Sequence, residues 1–197
     1  MKIEAKLVKE LRIKTGAGMM DCKNALLESS GNLNDAIDHL RKSGITKAEK
    51  KGARQTKEGI IYSYIHAGSR LGVLLEINCE TDFVAKTDGF SKLAHNVAMQ
   101  IAATNPISLD ISSIDQNLVS REKNIFKEQA ESQGKPEKII EKMIEGRMQK
   151  FFQESCLLEQ TYIKDPDKKV KDLITESIAT LGENISINRF IRFAIGE

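Results

Sequence analysis

An α+β fold follows from three features of the sequence. Amphipathic helical stripes fill the first fifty residues, two strand-like segments occupy 59–67 and 71–79, and a strongly apolar helical stripe comes directly after them. The apolar period changes from about four to two and back, so helices and a small antiparallel sheet share one chain. The 197 residues, 40% hydrophobic and 29% charged, suit one medium domain with an appendage or two small domains. No run approaches the ~20 apolar residues of a membrane span. Met1-Lys2-Ile3-Glu4 opens on a charged amphipathic pattern rather than a leader, so a cytoplasmic protein without membrane contact is expected.

In chain order, Ile3, Leu7 and Leu11 recur at four-residue steps and mark a first helix. Gly16-Ala17-Gly18 ends it, because glycine tolerates the left-handed backbone of a helix terminus. Asp21 is placed to cap a second helix that faces Cys22, Ala25 and Leu26 inward; Asn34 is placed to cap a third that buries Ala36, Ile37 and Leu40. Residues 1–53 thus read as a three-helix domain close to the lower size limit for an independent core. Residues 1–57 hold 13 Lys and Arg against 7 Asp and Glu, while the remainder holds 17 against 21. A basic head favours an acidic partner or nucleic acid. Its densest part, Lys47 to Lys57, is an exposed linker or an extension of the third helix. It carries no interleaved aromatic residues to stack on bases, so nucleic acid is not expected as the main partner.

The two strand-like segments form a hairpin across Gly68-Ser69-Arg70, with Val73, Leu75, Ile77 and Cys79 on one face. Phe90, Leu93, Ala94, Val97, Ala98 and Ile101 mark the following helix, stopped near Asn105-Pro106. Residues 113–153 change character. Ile114, Leu118, Ile125 and Ala130 lie sparsely among charges, and then Ile140, Met143, Ile144, Met148, Phe151 and Phe152 return at helical spacing. Gly134-Lys135-Pro136 between them describes the reversal of an antiparallel helical hairpin. This hairpin is inserted in an α+β core made of 54–112 and 154–197, and the last strand runs from Ile187 to Ile195.

Little points to catalysis. The chain has no GxxxxGK[ST] phosphate loop, GxSxG elbow, dinucleotide turn or zinc signature, so no enzyme, cofactor or metal site is expected. Cys22, Cys79 and Cys156 form no CxxC pair and read as small apolar side chains in a reducing compartment. Glu80 and Asp82 could pair as carboxylates on one strand face, yet acid–base chemistry also needs a pocket. The less ordinary segment is Thr81-Asp82-Phe83-Val84 on the strand-to-helix connection. Either Thr81 or Asp82 makes a turn and Phe83 tucks into the core, or Phe83 is an apolar plug aimed at a partner. Met19-Met20, after the glycine turn, is likewise either core or an adaptable contact.

Four blocks carry a resemblance. Leu7-Val8-Lys9-Glu10-Leu11-Arg12 with Thr15 to Lys23, and Glu76 to Ala85, are similar to segments of the elongation factor Ts family, short bacterial type. So are Gly134-Lys135-Pro136 through Met148, and Phe190 to Phe193. The resemblance runs in order over nearly the whole chain. It implies a ubiquitin-associated-like amino-terminal domain, an α+β core with an antiparallel sheet, and a protruding hairpin used for dimerisation. It implies a guanine-nucleotide exchange factor for elongation factor Tu in translation elongation. Thr81, Asp82, Phe83 and Val84 would dislodge Mg²⁺ from that GTPase, and Arg12, Met19 and Met20 would contact its nucleotide-binding domain. Longer relatives carry two core subdomains and this chain has sequence for one, so a homodimer in a two-plus-two complex is expected. The exposed apolar stripe expected on 113–153 would supply its interface.

Overall fold

The computed structural model describes residues 3–132 and 136–197. Helix α1 (Ala5–Thr15) ends at Gly16, whose φ of 68° lets its N–H reach the Arg12 carbonyl at 2.8 Å. Helix α2 (Met19–Glu28) starts three residues earlier than a cap at Asp21 requires. Gly18 is the boundary residue and offers no side-chain cap; Asp21 lies in the first turn, held by the Lys47 ammonium at 2.8 Å. The reversal through Ser30 and Gly31 hands over at Asn32, so Asn32, not Asn34, caps α3 (Leu33–Lys51). Its Oδ1 accepts from Asn34 N–H at 2.9 Å and Asp35 N–H at 3.4 Å. Val8, Leu11, Cys22, Ala25, Leu26 and Ala36 close one apolar cluster among the three helices. The basic stretch is partly helical: α3 continues through Lys51.

Strands β1 (Glu58–Ile65), β2 (Leu71–Cys79) and β5 (Ile185–Ala194) form an antiparallel sheet in the order β1-β2-β5. Val73, Leu75, Ile77 and Cys79 are buried on one face of β2, as the alternation required. A one-turn helix α4 (Asp82–Ala85) leads into α5 (Asp88–Thr104), which ends before Pro106 because proline disfavours a helical predecessor. The hairpin is α6 (Gln116–Glu131) and α7 (Glu137–Ser155). The glycine and lysine of its expected reversal, Gly134 and Lys135, lie outside the described residues. A 3₁₀ turn (Leu157–Glu159), a small ladder of β3 (Thr161–Tyr162) with β4 (Asp165–Lys169), and α8 (Val170–Leu181) complete the chain before β5.

Two compact units emerge. One comprises the chain up to Tyr62 with Glu76–His95 and Asp172–Asn188; the other comprises Ser63–Leu75, Asn96–Lys171 and Arg189–Glu197. In the first, α3 approaches α8 closely enough that a Cβ on Gly44 would lie 3.3 Å from that of Ala179. In the second, the base of the hairpin is pinned by a buried amide pair. Gln100 Nε2 donates to Gln160 Oε1 and to the Thr161 carbonyl, both at 3.1 Å, and Gln100 Oε1 accepts from Ile163 N–H at 2.9 Å.

The stripe expected to stand exposed on the hairpin does not. Ile144 and Met148 are buried and Ile140, Phe151 and Phe152 are half-buried, because α6 lies against α7 with Ala130 buried and Ile125 and Phe126 half-buried. The outward apolar surface of the same unit lies instead on the sheet. Ile191, Phe193 and Ile195 alternate along the expected last strand and face solvent, while Arg192 turns inward and donates to the Ala102 carbonyl at 3.2 Å.

Candidate functional site

β2 ends at Cys79, and the chain must leave the sheet and begin α5 within eight residues. Thr81 makes that possible. Its backbone is extended and its hydroxyl accepts from Val84 N–H at 3.5 Å, so it caps the four-residue helix α4. The turn then closes through Thr87, whose hydroxyl donates to the Val84 carbonyl at 2.7 Å and accepts from Phe90 N–H at 3.2 Å. Ala85 is the buried residue of α4, and Phe90 beyond it is fully buried. Phe83 points the other way and is 80% exposed. The core alternative is therefore excluded, since a whole aromatic ring stands in water on a rigidly capped turn.

Asp82 stands beside the ring and pairs with Lys86 at 2.7 Å, one turn along. That bond holds the Asp82 carboxyl below its ordinary value and, reciprocally, raises the Lys86 ammonium. Both groups are exposed, so the pair contributes little to stability. Glu80 does not pair with Asp82. Its Oε1 accepts from Asn184 N–H at 2.6 Å and its Oε2 lies 3.4 Å from the Arg54 guanidinium. The two carboxylates thus serve separate contacts. Beneath the turn, burial pushes the Cys79 thiol up, with the Glu183 charge adding to it, and its Sγ donates to the Thr81 carbonyl at 3.1 Å.

The second expected cluster lies at the start of α2. Met19 is 53% and Met20 62% exposed, which rules out the core alternative for both, and Arg12 near the end of α1 is exposed as well. Ile13 next to Arg12 is also exposed. Sequence reasoning did not single it out, although it falls off the Ile3, Leu7, Leu11 stripe and so belonged to the outer face. Of the basic residues between 47 and 57, Lys47 is committed to Asp21, Lys51 donates to the Gly182 carbonyl and Arg54 reaches Glu80.

The family model described as Elongation factor TS matches residues 5–197. The chain belongs to the elongation factor Ts family. Elongation factor Ts of Syntrophomonas wolfei subsp. wolfei is 59% identical over 195 residues, covering 99% of this chain and 91% of that relative. The relative from Thermodesulfovibrio yellowstonii is 54% identical over 197 residues, covering 100% and 98%. The one from Carboxydothermus hydrogenoformans is 54% identical over 195 residues, covering 99% and 90%. These elongation factor Ts relatives are thus of nearly the same length as this chain. Among the described residues, no helix is long and apolar enough to cross a membrane. In this family setting Phe83 and the Met19-Met20 pair are the exposed apolar groups that the four-block resemblance had directed at a partner.

Proposed function

We propose that the chain is a cytoplasmic guanine-nucleotide exchange factor for elongation factor Tu, acting in translation elongation without catalysing a reaction of its own. The observation that carries this reading is Phe83, 80% exposed on a capped turn that carries Asp82 beside it. A GTPase holds its nucleotide through a phosphate loop and a Mg²⁺ bridging phosphate oxygens. Mg²⁺ demands near-ideal octahedral geometry, so small displacements of its supporting elements weaken it out of proportion. Phe83 enters between helices of the GTPase, and Thr81, Asp82 and Val84 fix the depth and angle of entry. The displaced elements then lose the metal. Arg12, Met19 and Met20 grip the nucleotide-binding domain, the methionines adapting to its surface. By linkage, the factor weakens GDP binding by the ratio by which GDP weakens factor binding. A coupling of about 3 kcal/mol corresponds to roughly 150-fold. The engagement of Lys47, Lys51 and Arg54 within their own chain favours this reading over RNA binding by the basic stretch.

The test is release of labelled GDP from purified elongation factor Tu with and without the protein. Strong acceleration is expected, and Phe83→Ala should reduce it at least tenfold. An unchanged rate for the folded variant refutes the wedge.

The same reading includes a homodimer and a two-plus-two complex with the GTPase. Its support is the outer sheet surface of the second unit rather than the hairpin stripe. Ile65, Leu71, Leu74, Phe193 and Ile195 line an open groove of about 560 Å³, an apolar surface of the kind that marks an interface. Two copies paired there supply the two core units that longer relatives hold in one chain.

A further inference from the structure

We infer that Glu183 is a positioning residue for the Thr81–Val84 motif, setting the direction in which Phe83 is presented; this rests on the exchange reading above. Glu183 lies 102 residues from Thr81 in sequence. Gly182, with φ 83°, ends α8 and turns the chain so that the Glu183 side chain reaches the last residues of the β2 connection. Its Oε2 accepts from Glu80 N–H at 3.1 Å and from Thr81 N–H at 2.9 Å, and its Oε1 accepts from the Thr81 hydroxyl at 2.6 Å. The tie is reciprocal. Asn184 N–H donates to Glu80 Oε1 at 2.6 Å, and the Asn184 side-chain amide donates to the Arg54 carbonyl at 2.8 Å. The segments around 54, 80–81 and 183–184 are thereby stapled to one another, the bonds to the Glu183 and Glu80 carboxylates being charge-assisted.

A four-residue helix has no stability of its own, since one turn fixes several dihedrals for little hydrogen bonding. α4 persists because Thr81 caps it, and the Thr81 hydroxyl can cap only while its lone pair faces Val84 N–H. Donating its proton to Glu183 enforces that orientation. A side chain that must push elements of a partner apart also needs a support that does not yield. Glu183 supplies one by tying the turn to the end of α8. If loss of this tie leaves the wedge orientation only fractionally populated, the rate at saturating factor falls to that fraction of its wild-type value. The Arg12, Met19 and Met20 surface is untouched.

The experiment measures release of labelled GDP from purified elongation factor Tu over a range of factor concentrations, for wild type, Glu183→Ala, Glu183→Gln, Phe83→Ala and the Phe83→Ala/Glu183→Ala double variant. Glu183→Ala should lower the maximal rate at least fivefold while moving the half-saturating concentration less than twofold. Glu183→Gln keeps an oxygen for the two backbone N–H groups and should give an intermediate rate. In the double variant, loss of Glu183 should add nothing to Phe83→Ala, because both act in one step. A wild-type maximal rate for folded Glu183→Ala overturns the inference. So does a change confined to half-saturation, or a double variant slower than Phe83→Ala by the full Glu183 factor. Should Glu183→Ala not fold, Glu183→Gln decides by the same readouts, and a wild-type rate there is fatal. Slow release by Phe83→Ala with normal release by Glu183→Ala removes this inference alone; normal release by Phe83→Ala removes the wedge on which it rests, and failure of the wild type to accelerate release removes the exchange reading itself.

Discussion

Gly59 shows how one residue can decide whether the sheet forms. It sits near the start of β1 with φ 151°, and a Cβ there would lie 2.3 Å from the Ile77 carbonyl oxygen and 2.7 Å from Asn78 Cα. Backbone cannot retreat from such contacts as a flexible side chain can. Gly59→Ala is therefore expected to destabilise the protein by about 2–4 kcal/mol, combining strain and overpacking. Urea unfolding checks this, and a midpoint unchanged within error contradicts it. Phe83 is the opposite case. A buried Phe→Ala change typically costs about 3–5 kcal/mol, whereas an exposed substitution stays within about 0.5 kcal/mol. Phe83→Ala should therefore leave the unfolding midpoint nearly unmoved while exchange slows. A large drop in thermal stability would show that the ring supports the fold after all.

Among elements, the 3₁₀ turn after α7 meets the start of α8 through Glu159, whose carboxylate lies 2.8 Å from the Lys169 ammonium and 3.0 Å from that of Lys171. The Lys169 bond, with Lys171 adding to it, holds the Glu159 carboxyl below its ordinary value of 4.5. The folded state therefore binds this proton less readily than the unfolded chain does. The contribution to stability is fully present above pH 4.5 and is lost as pH falls through the lower folded value. Glu159→Gln should cost about 1–2 kcal/mol at neutral pH, and the gap from wild type should close as pH is lowered below the carboxylate range. A gap that stays constant with pH would refute the ion-pair origin. The elements themselves were largely legible. Val73, Leu75, Ile77 and Cys79 gave the inner face of β2, and the stripe from Phe90 to Ile101 gave α5, because periodicity survives whatever the element packs on. The caps at Asp21 and Asn34 were misplaced by two to three residues. A cap depends on where the preceding turn releases the chain, and Ser30 with Gly31 released it at Asn32.

For the molecule as a whole, the proposed homodimer sets an expected mass. If the outer sheet surface pairs two chains, light scattering at micromolar concentration should give twice the single-chain mass of 22.0 kDa. Phe193→Lys, at a residue 62% exposed in the single chain, should return the mass to one chain without altering helix content. A wild-type mass near 22.0 kDa would end the dimer proposal. By itself the sequence determined the class of fold, the order of the three amino-terminal helices, the β-hairpin, α5, the helical hairpin and the last strand, and the motif at Thr81–Val84, while β3, β4 and α8 between the hairpin and that strand went unread. Each feature it determined rests on local spacing or a contiguous run of residues. Which side of that motif meets water, and what holds it, was decided only by the tertiary structure. Phe83 could equally have been core, and Glu183 carries no local signal of its role. The same holds for Ile144 and Met148, buried by α6, and for Phe193 and Ile195, left outward. Periodicity fixes which residues share a face, whereas only long-range packing settles whether that face is covered.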